Sequence, residues 1–285
     1  MRTRSLRYGA ASAVAALALL TSACSSDEST TDTDTTEESG SDTTAEGGGT
    51  LDLVAEDILT ICSDIPYAPF EMEAEEGEGF DGYEGFDIEL LAAIASDQGL
   101  TISVKDLPFD GILGALPAGD CDIVGSAVSI TPEREEQVLF SESYFESKQS
   151  LMVLTEDEAT YPDLESLAGK TIGVQSGTTG AAYAEENKPE GATIKEFEGG
   201  EDLFGALASG DIEAALQDFP VNAYQAAQDD TFVVVATFGE GEPYGFAAEK
   251  DNEALIAAVD GSLETLKSDG TYDEIYAKYF GETEG

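Results

Sequence analysis

Two seven-residue segments of this chain agree at five positions, and each leads into a short apolar strand pattern. Gly114-Ala-Leu-Pro-Ala-Gly-Asp120 precedes Asp122–Ser126, and Gly205-Ala-Leu-Ala-Ser-Gly-Asp211 precedes Ile212–Leu216. Strand and helix patterns alternate around both copies. Ile58–Ser63 reads as a strand, and residues 85–94 as a helix with Phe86, Leu90 and Ile94 on one face. Thr101–Val104 is then a strand and Phe109–Leu116 a short helix. The order restarts with a strand at Thr171–Val174, a helix at Thr179–Asn187, a strand at Thr193–Phe197 and a helix at Leu203–Leu207. Such alternation predicts α/β architecture with parallel strands covered on both faces. The repeat predicts two similar lobes. Two further helices, Glu253–Lys267 and Tyr272–Tyr279, flank Gly270. Packed back on the first lobe, they make the chain cross between lobes twice, near Glu146–Val153 and Phe238–Phe246. Two crossings form a hinge, with a ligand cleft between the lobes. The expected boundaries are 52–147 plus 242–285 for the first lobe and 148–241 for the second.

The chain begins with Arg2, Arg4 and Arg7, an apolar run from Gly9 to Leu20, and then Thr21-Ser-Ala-Cys24. This order predicts a secretory signal over 1–23. A cysteine directly after small residues resembles the bacterial lipobox, which places lipidation on Cys24; Thr21 stands where an aliphatic residue is usual. Residues 24–51 are Ser, Thr, Asp, Glu and Gly with hardly an apolar side chain, so a disordered acidic tether is expected. The export route leaves Cys62 and Cys121, which either pair or remain as two buried thiols.

The net charge is −48, and loss of the three leader arginines takes it to −51. Nucleic acid is excluded as a partner, and so is electrostatic binding to anionic headgroups. The chain has no histidine, which removes the commonest general base and metal ligand. Its carboxylates are scattered, without the fixed spacing of a metal loop. No metal or cofactor is expected. The acidic stretch Glu71–Glu84 reads as a solvated loop.

In open α/β sheets, ligands bind beyond the carboxyl ends of the strands. Those ends are Ser63-Asp64-Ile-Pro-Tyr67, Ser126-Ala127-Val-Ser129, Gln175-Ser-Gly-Thr178-Thr179 and Gln217-Asp218. After the leader a single arginine remains, Arg134, following Thr131 and Pro132, an N-cap and first-turn pair. From spacing alone it suits a ligand carboxylate and a surface salt bridge equally. Thr178 and Thr179 open a helix, where an anion is favoured but a plain cap is the simpler account. Asp218 reads as a loop acid or, aimed into the cleft, as the partner of an ammonium group.

These segments are similar to the family 3 solute-binding proteins. Gly85-Phe-Asp-Ile-Glu-Leu with Ile94 matches the family signature, with Gln98 departing at its last position. Ser129-Ile-Thr-Pro-Glu-Arg134, Gly173-Val-Gln-Ser-Gly-Thr178 and the ending Gly270–Gly281 match as well. The resemblance implies a two-lobed periplasmic-binding-protein-like fold of type II with two hinge-crossing strands. It implies that Arg134 binds a ligand α-carboxylate, assisted by Ser129, the Ser126–Ala127 region and Thr178–Thr179, and that Asp218 binds the α-ammonium. Asp64, Tyr67, Phe109 and Gln175 fall where relatives contact the side chain; for Phe109 alone a core aromatic is the bland alternative. The expected function is a non-catalytic receptor, a lipid-anchored monomer on the outer face of the membrane. It binds a free L-amino acid, with a basic or amide side chain preferred, and serves an ABC transporter permease. The alternative is an enzyme of the same fold acting on a small cyclic acid, like cyclohexadienyl dehydratase.

Overall fold

The computed structural model describes residues 51–281. The leader, Cys24 and the tether through residue 50 lie outside them. The first part of the described chain runs through β1 (Ile58–Ser63), β2 (Met72–Glu73), β3 (Tyr83–Glu84), α1 (Phe86–Asp97), β4 (Thr101–Asp106) and β5 (Ile123–Val124). A short α2 (Pro132–Glu135) and β6 (Leu139–Phe140) follow. The long β7 (Phe145–Leu154) leads into β8 (Thr171–Gln175), α3 (Thr179–Asn187), β9 (Thr193–Phe197), α4 (Asp202–Ser209), β10 (Ala214–Asp218) and α5 (Phe219–Gln228). The chain returns along β11 (Phe232–Tyr244) to β12 (Ala247–Ala248), α6 (Glu253–Asp269) and α7 (Thr271–Phe280).

Two five-stranded sheets result, ordered β4-β1-β5-β12-β6 and β11-β7-β10-β8-β9. Each is parallel where β-α units repeat: β1 with β4 and β5, and β8 with β9 and β10. Each departs from the all-parallel expectation where the chain changes lobe. There β12 runs antiparallel to β5 and β6, and β7 runs antiparallel to β10 and β11. A strand arriving from the other lobe enters from the opposite end, so the two sheets are mixed.

β7 and β11 pair along most of their length, from Phe232 opposite Leu154 to Tyr244 opposite Phe145. At one end Tyr244 and Phe145 join the first lobe's core; at the other, Leu151, Val153 and Val233 pack in the second. The ladder shifts register between Phe238 and Glu242, which face Gln149 and Ser147.

Aromatic packing brings the C-terminal helices home. Phe86 is fully buried and meets Tyr272, Tyr276 and Phe280 of α7 edge-on at 5.8, 5.9 and 5.2 Å between ring centroids. Edge-to-face pairs of this kind add about 0.5–1.5 kcal/mol each beyond area burial. Gln98, the departure in the signature, ties α1 to α6 by donating to Ser262 Oγ at 2.8 Å.

Three local expectations change. Phe109–Leu116 forms only a 3-10 turn, Ile112–Ala115, between Gly111 at φ 87° and Pro117. The strand at Asp122–Ser126 contracts to β5; Asp122 lies just outside it, its carboxylate accepting from the backbone N–H groups of Val54 and Thr60 at 2.6 and 2.7 Å while its own N–H donates to the Thr60 carbonyl. The stretch Glu71–Glu84 is not wholly solvated: Glu71 is fully buried, and the residues after it pair as the β2–β3 hairpin.

Cys62 in β1 and Cys121, just before β5, are bonded as a disulfide with Cα atoms 5.8 Å apart. That separation is ordinary for a bridge, and it staples two neighbouring strands in the interior. A closed loop with a sequence separation of 59 constrains the unfolded chain substantially. Replacing both cysteines with serine is expected to lower unfolding free energy by about 2–4 kcal/mol. Denaturant titration of the domain, beside thiol counting of the parent, checks it.

Candidate functional site

Four strand ends and the loops beyond them converge between the two sheets. The loop after β1 supplies Asp64 and Tyr67, and the turn after β5 supplies Ser126, Ala127 and Ser129. The start of α3 supplies Thr178 and Thr179, and the end of β10 supplies Asp218. Together with Phe109, Arg134 and Gln175, all of these except Asp64 line one narrow pocket whose free volume is about 10 Å³. Asp64 stands beside it. Its carboxylate accepts from Gln175 Nε2 at 2.5 Å and lines an adjoining recess with Asp106, Glu198, Glu201 and Asp202.

Arg134 is placed by its helix. Thr131 caps α2, its hydroxyl accepting from the Arg134 N–H at 3.3 Å, and Pro132 opens the first turn. The guanidinium then bridges the lobes, donating to the Ser129 carbonyl at 2.9 Å and the Gly177 carbonyl at 3.2 Å. Its carbon lies 5.3 Å from the centre of the Phe109 ring. Among the described residues, the carboxylates within salt-bridge distance of a cation all pair with lysines, not with Arg134. Burial pulls its pKa below the ordinary value, while Asp218 and Glu242 pull it back.

Asp218 accepts three side-chain hydrogen bonds in the pocket. Tyr244 Oη donates to it at 2.6 Å, Tyr67 Oη at 3.0 Å and Gln149 Nε2 at 2.5 Å. Burial nonetheless dominates and raises its pKa from 3.8 to about 6. Asp64 is also raised to about 6, mainly by burial and further by Glu201 and Asp106.

A second layer holds the turn after β5. Ala127 has φ 47°, a left-handed conformation costly for a residue with a Cβ. Its N–H donates to Asp87 Oδ2 at 2.8 Å, and Ser126 Oγ donates to Glu71 Oε1 at 2.9 Å. Glu71 and Asp87 are fully buried, and both are raised because burial disfavours their charge. Thr178 acts as the cap of α3, its hydroxyl accepting from Ala181 N at 3.0 Å and donating to the Gln175 carbonyl at 2.8 Å. Of the two threonines, it is Thr179 whose hydroxyl donates across the cleft.

Sequence reasoning missed several participants. Gln149 and Tyr244 lie on the crossing strands, where a buried polar group in a core ladder was the available signal. Glu242 accepts from Ser129 Oγ at 3.1 Å, Thr179 Oγ1 at 2.7 Å and Gln149 Nε2 at 3.2 Å. In a chain with 60 acidic residues, one more glutamate carries no signal. Gly200 was also missed: a Cβ there would sit 2.8 Å from the Tyr67 ring and 3.2 Å from Gln175 Oε1.

With two lobes, two paired crossing strands and a polar pocket between them, the chain has the architecture of a two-lobed binding protein. Residues 59–282 match the family model of bacterial extracellular solute-binding proteins, family 3, and the chain belongs to that family. A probable histidine-binding protein of Neisseria gonorrhoeae is 32% identical over 233 residues, covering 80% of this chain and 85% of the relative. Among solved structures, an ancestral arginine-binding protein bound to glutamine is 36% identical with a TM-score of 0.74, covering 80% and 100%. An ancestral amino acid-binding protein, AncCDT-1, a precursor of cyclohexadienyl dehydratase, is 36% identical with a TM-score of 0.72, covering 79% and 96%.

The raised acids give a pH profile. Asp64 and Asp218 hold a proton more tightly folded, at about 6, than at their ordinary value of 3.8. Their stabilising contribution is therefore full below about pH 4 and lost as pH rises through about 6. The melting temperature is expected to rise when pH is lowered from about 7.5 to about 5. Asp218→Asn should flatten that slope, and calorimetric scans of both proteins across the range check it.

Proposed function

We propose that this chain is the extracytoplasmic receptor of an amino acid importer, capturing a free L-amino acid and presenting it to an ABC transporter permease. The observation that carries this reading is the placement of Arg134 and Asp218 in one buried cavity. Arg134 offers a planar pair of donors to an α-carboxylate, with the Ser129 and Thr179 hydroxyls beside it. Asp218 offers a desolvated carboxylate to an α-ammonium. A zwitterion meets both charges, and each of its ends relieves a buried charge of the protein. Closure of the lobes around it forms the surface that a permease recognises. The receptor is exported by its leader and held at the membrane's outer face through lipid on Cys24. It works as a monomer.

The preferred side chain is basic or an amide. The recess beyond Gln175 brings Asp64, Asp106, Glu198, Glu201 and Asp202 together. Asp106 and Glu201 raise the pKa of Asp64, the mark of like charges in proximity. A cationic group entering there relieves that repulsion, whereas a second carboxylate adds to it. The relatives reported above, named for histidine and arginine and in one case bound to glutamine, support the same class.

The second reading is acid–base catalysis on a cyclic acid. It draws on Asp64 and Asp218, both near the range of a general acid at neutral pH. Incubation with prephenate and arogenate decides: release of product supports the enzyme, and an unchanged substrate supports the receptor.

A melting-shift screen of residues 50–285 against the common amino acids tests the receptor directly. A ligand at about a hundred times its dissociation constant adds about 2.7 kcal/mol of stability. Shifts with arginine, lysine, histidine or glutamine but not glutamate are expected. Arg134→Ala should weaken the best ligand by at least about a hundredfold, since a buried charge partner is lost. Unchanged affinity would remove Arg134 from the carboxylate site. Asp218→Asn should weaken an amino acid more than its deaminated analogue, and equal losses would remove Asp218 from the ammonium site.

A further inference from the structure

Glu242 sits on β11 at the register shift between the lobes and is half-buried. One of its carboxylate oxygens takes two hydroxyl protons, from Ser129 in the first lobe and from Thr179 in the second. The other takes an amide proton from Gln149 on β7. It also lies close enough to Arg134 to raise that group's pKa. A hydroxyl carries a single proton to donate. Ser129 and Thr179 therefore cannot serve Glu242 and a second carboxylate at once.

We infer that Glu242 is an internal competitor for the α-carboxylate position, and that a bound amino acid must take the Ser129 and Thr179 hydroxyls from it. This rests on the receptor reading above and adds an exchange step to it. One carboxylate leaves the two hydroxyls and another arrives, so the hydrogen-bond count at the site is conserved while the acceptor changes. The exchange sets affinity below what the cavity's donors would otherwise give. It also discriminates by ligand chemistry. A cation without a carboxylate leaves Glu242 in place and gains nothing from its removal.

The test measures binding by titration calorimetry to the parent protein and to Glu242→Ala. The probes are L-arginine, L-lysine and L-glutamine, with agmatine and cadaverine as the carboxylate-free counterparts of the first two. The expected result is about tenfold tighter binding of the amino acids to the variant, the size of one charge-assisted hydrogen bond no longer in competition. Agmatine and cadaverine should bind no tighter than to the parent. Weaker or unchanged amino acid binding overturns the exchange: the first would make Glu242 a partner of the ligand's ammonium, the second a bystander. Equal tightening of the amines overturns it too, because the gain would not depend on a carboxylate. If the alanine variant does not fold, Glu242→Gln must show the same direction, since a neutral amide oxygen competes less well for the hydroxyls. Absence of binding of every amino acid to the parent overturns the receptor reading itself, and the exchange with it.

Discussion

The buried carboxylate of Asp218 is the point on which the two halves of this protein meet. It ends β10 in the second lobe, yet its three donors come from elsewhere: Tyr67 from the loop after β1, and Gln149 and Tyr244 from the two crossing strands. Three donors are what an isolated buried carboxylate needs, and their convergence fixes the relative position of both lobes and the hinge. Burial still raises its pKa to about 6, so the three donors offset its lost hydration only in part. A positive group brought to the same place completes that offset, which is why a desolvated acid is useful in a receptor for ammonium-bearing solutes.

Two further buried acids serve geometry. Glu71 and Asp87 hold the strained turn at Ser126–Ala127, and each retains one oxygen without a protein partner among the described residues. The turn carries its left-handed alanine because those bonds over-determine it. Net charge and local charge play separate parts in this molecule. The surface acids keep it dispersed, while the few interior ones shape the floor and walls of the cavity.

The β-α units were legible in the sequence because each is short, apolar and locally periodic. β1, α3 and β9 fall on the expected residues. The antiparallel strands were not legible, since direction depends on which lobe the chain comes from rather than on local pattern. α5 escaped for a different reason. It follows β10 with no turn residue between Asp218 and Phe219, and Pro220 in its first turn is tolerated there without marking a helix by itself. Within the cavity, residues at the ends of parallel strands were found from topology and motif. Gln149, Tyr244 and Glu242 were not, because they sit in the middle or at the irregular end of long ladders. Gly200 was invisible because its missing Cβ matters only through Tyr67 and Gln175, both distant from it in sequence.

The irregularity in β11 has a mechanical consequence. Between the residues facing Gln149 and Ser147, β11 carries Gly239, Glu240 and Gly241, with φ of 81° and 142° at the two glycines. One crossing strand is thus longer than its companion over the same span, and its extra length lies in a stretch with glycine at both ends. Paired cords of equal length would have to stretch or tear when the bodies they join rotate. Here one cord carries slack, so rotation can be absorbed by the surplus loop while the bonded rungs on either side stay intact.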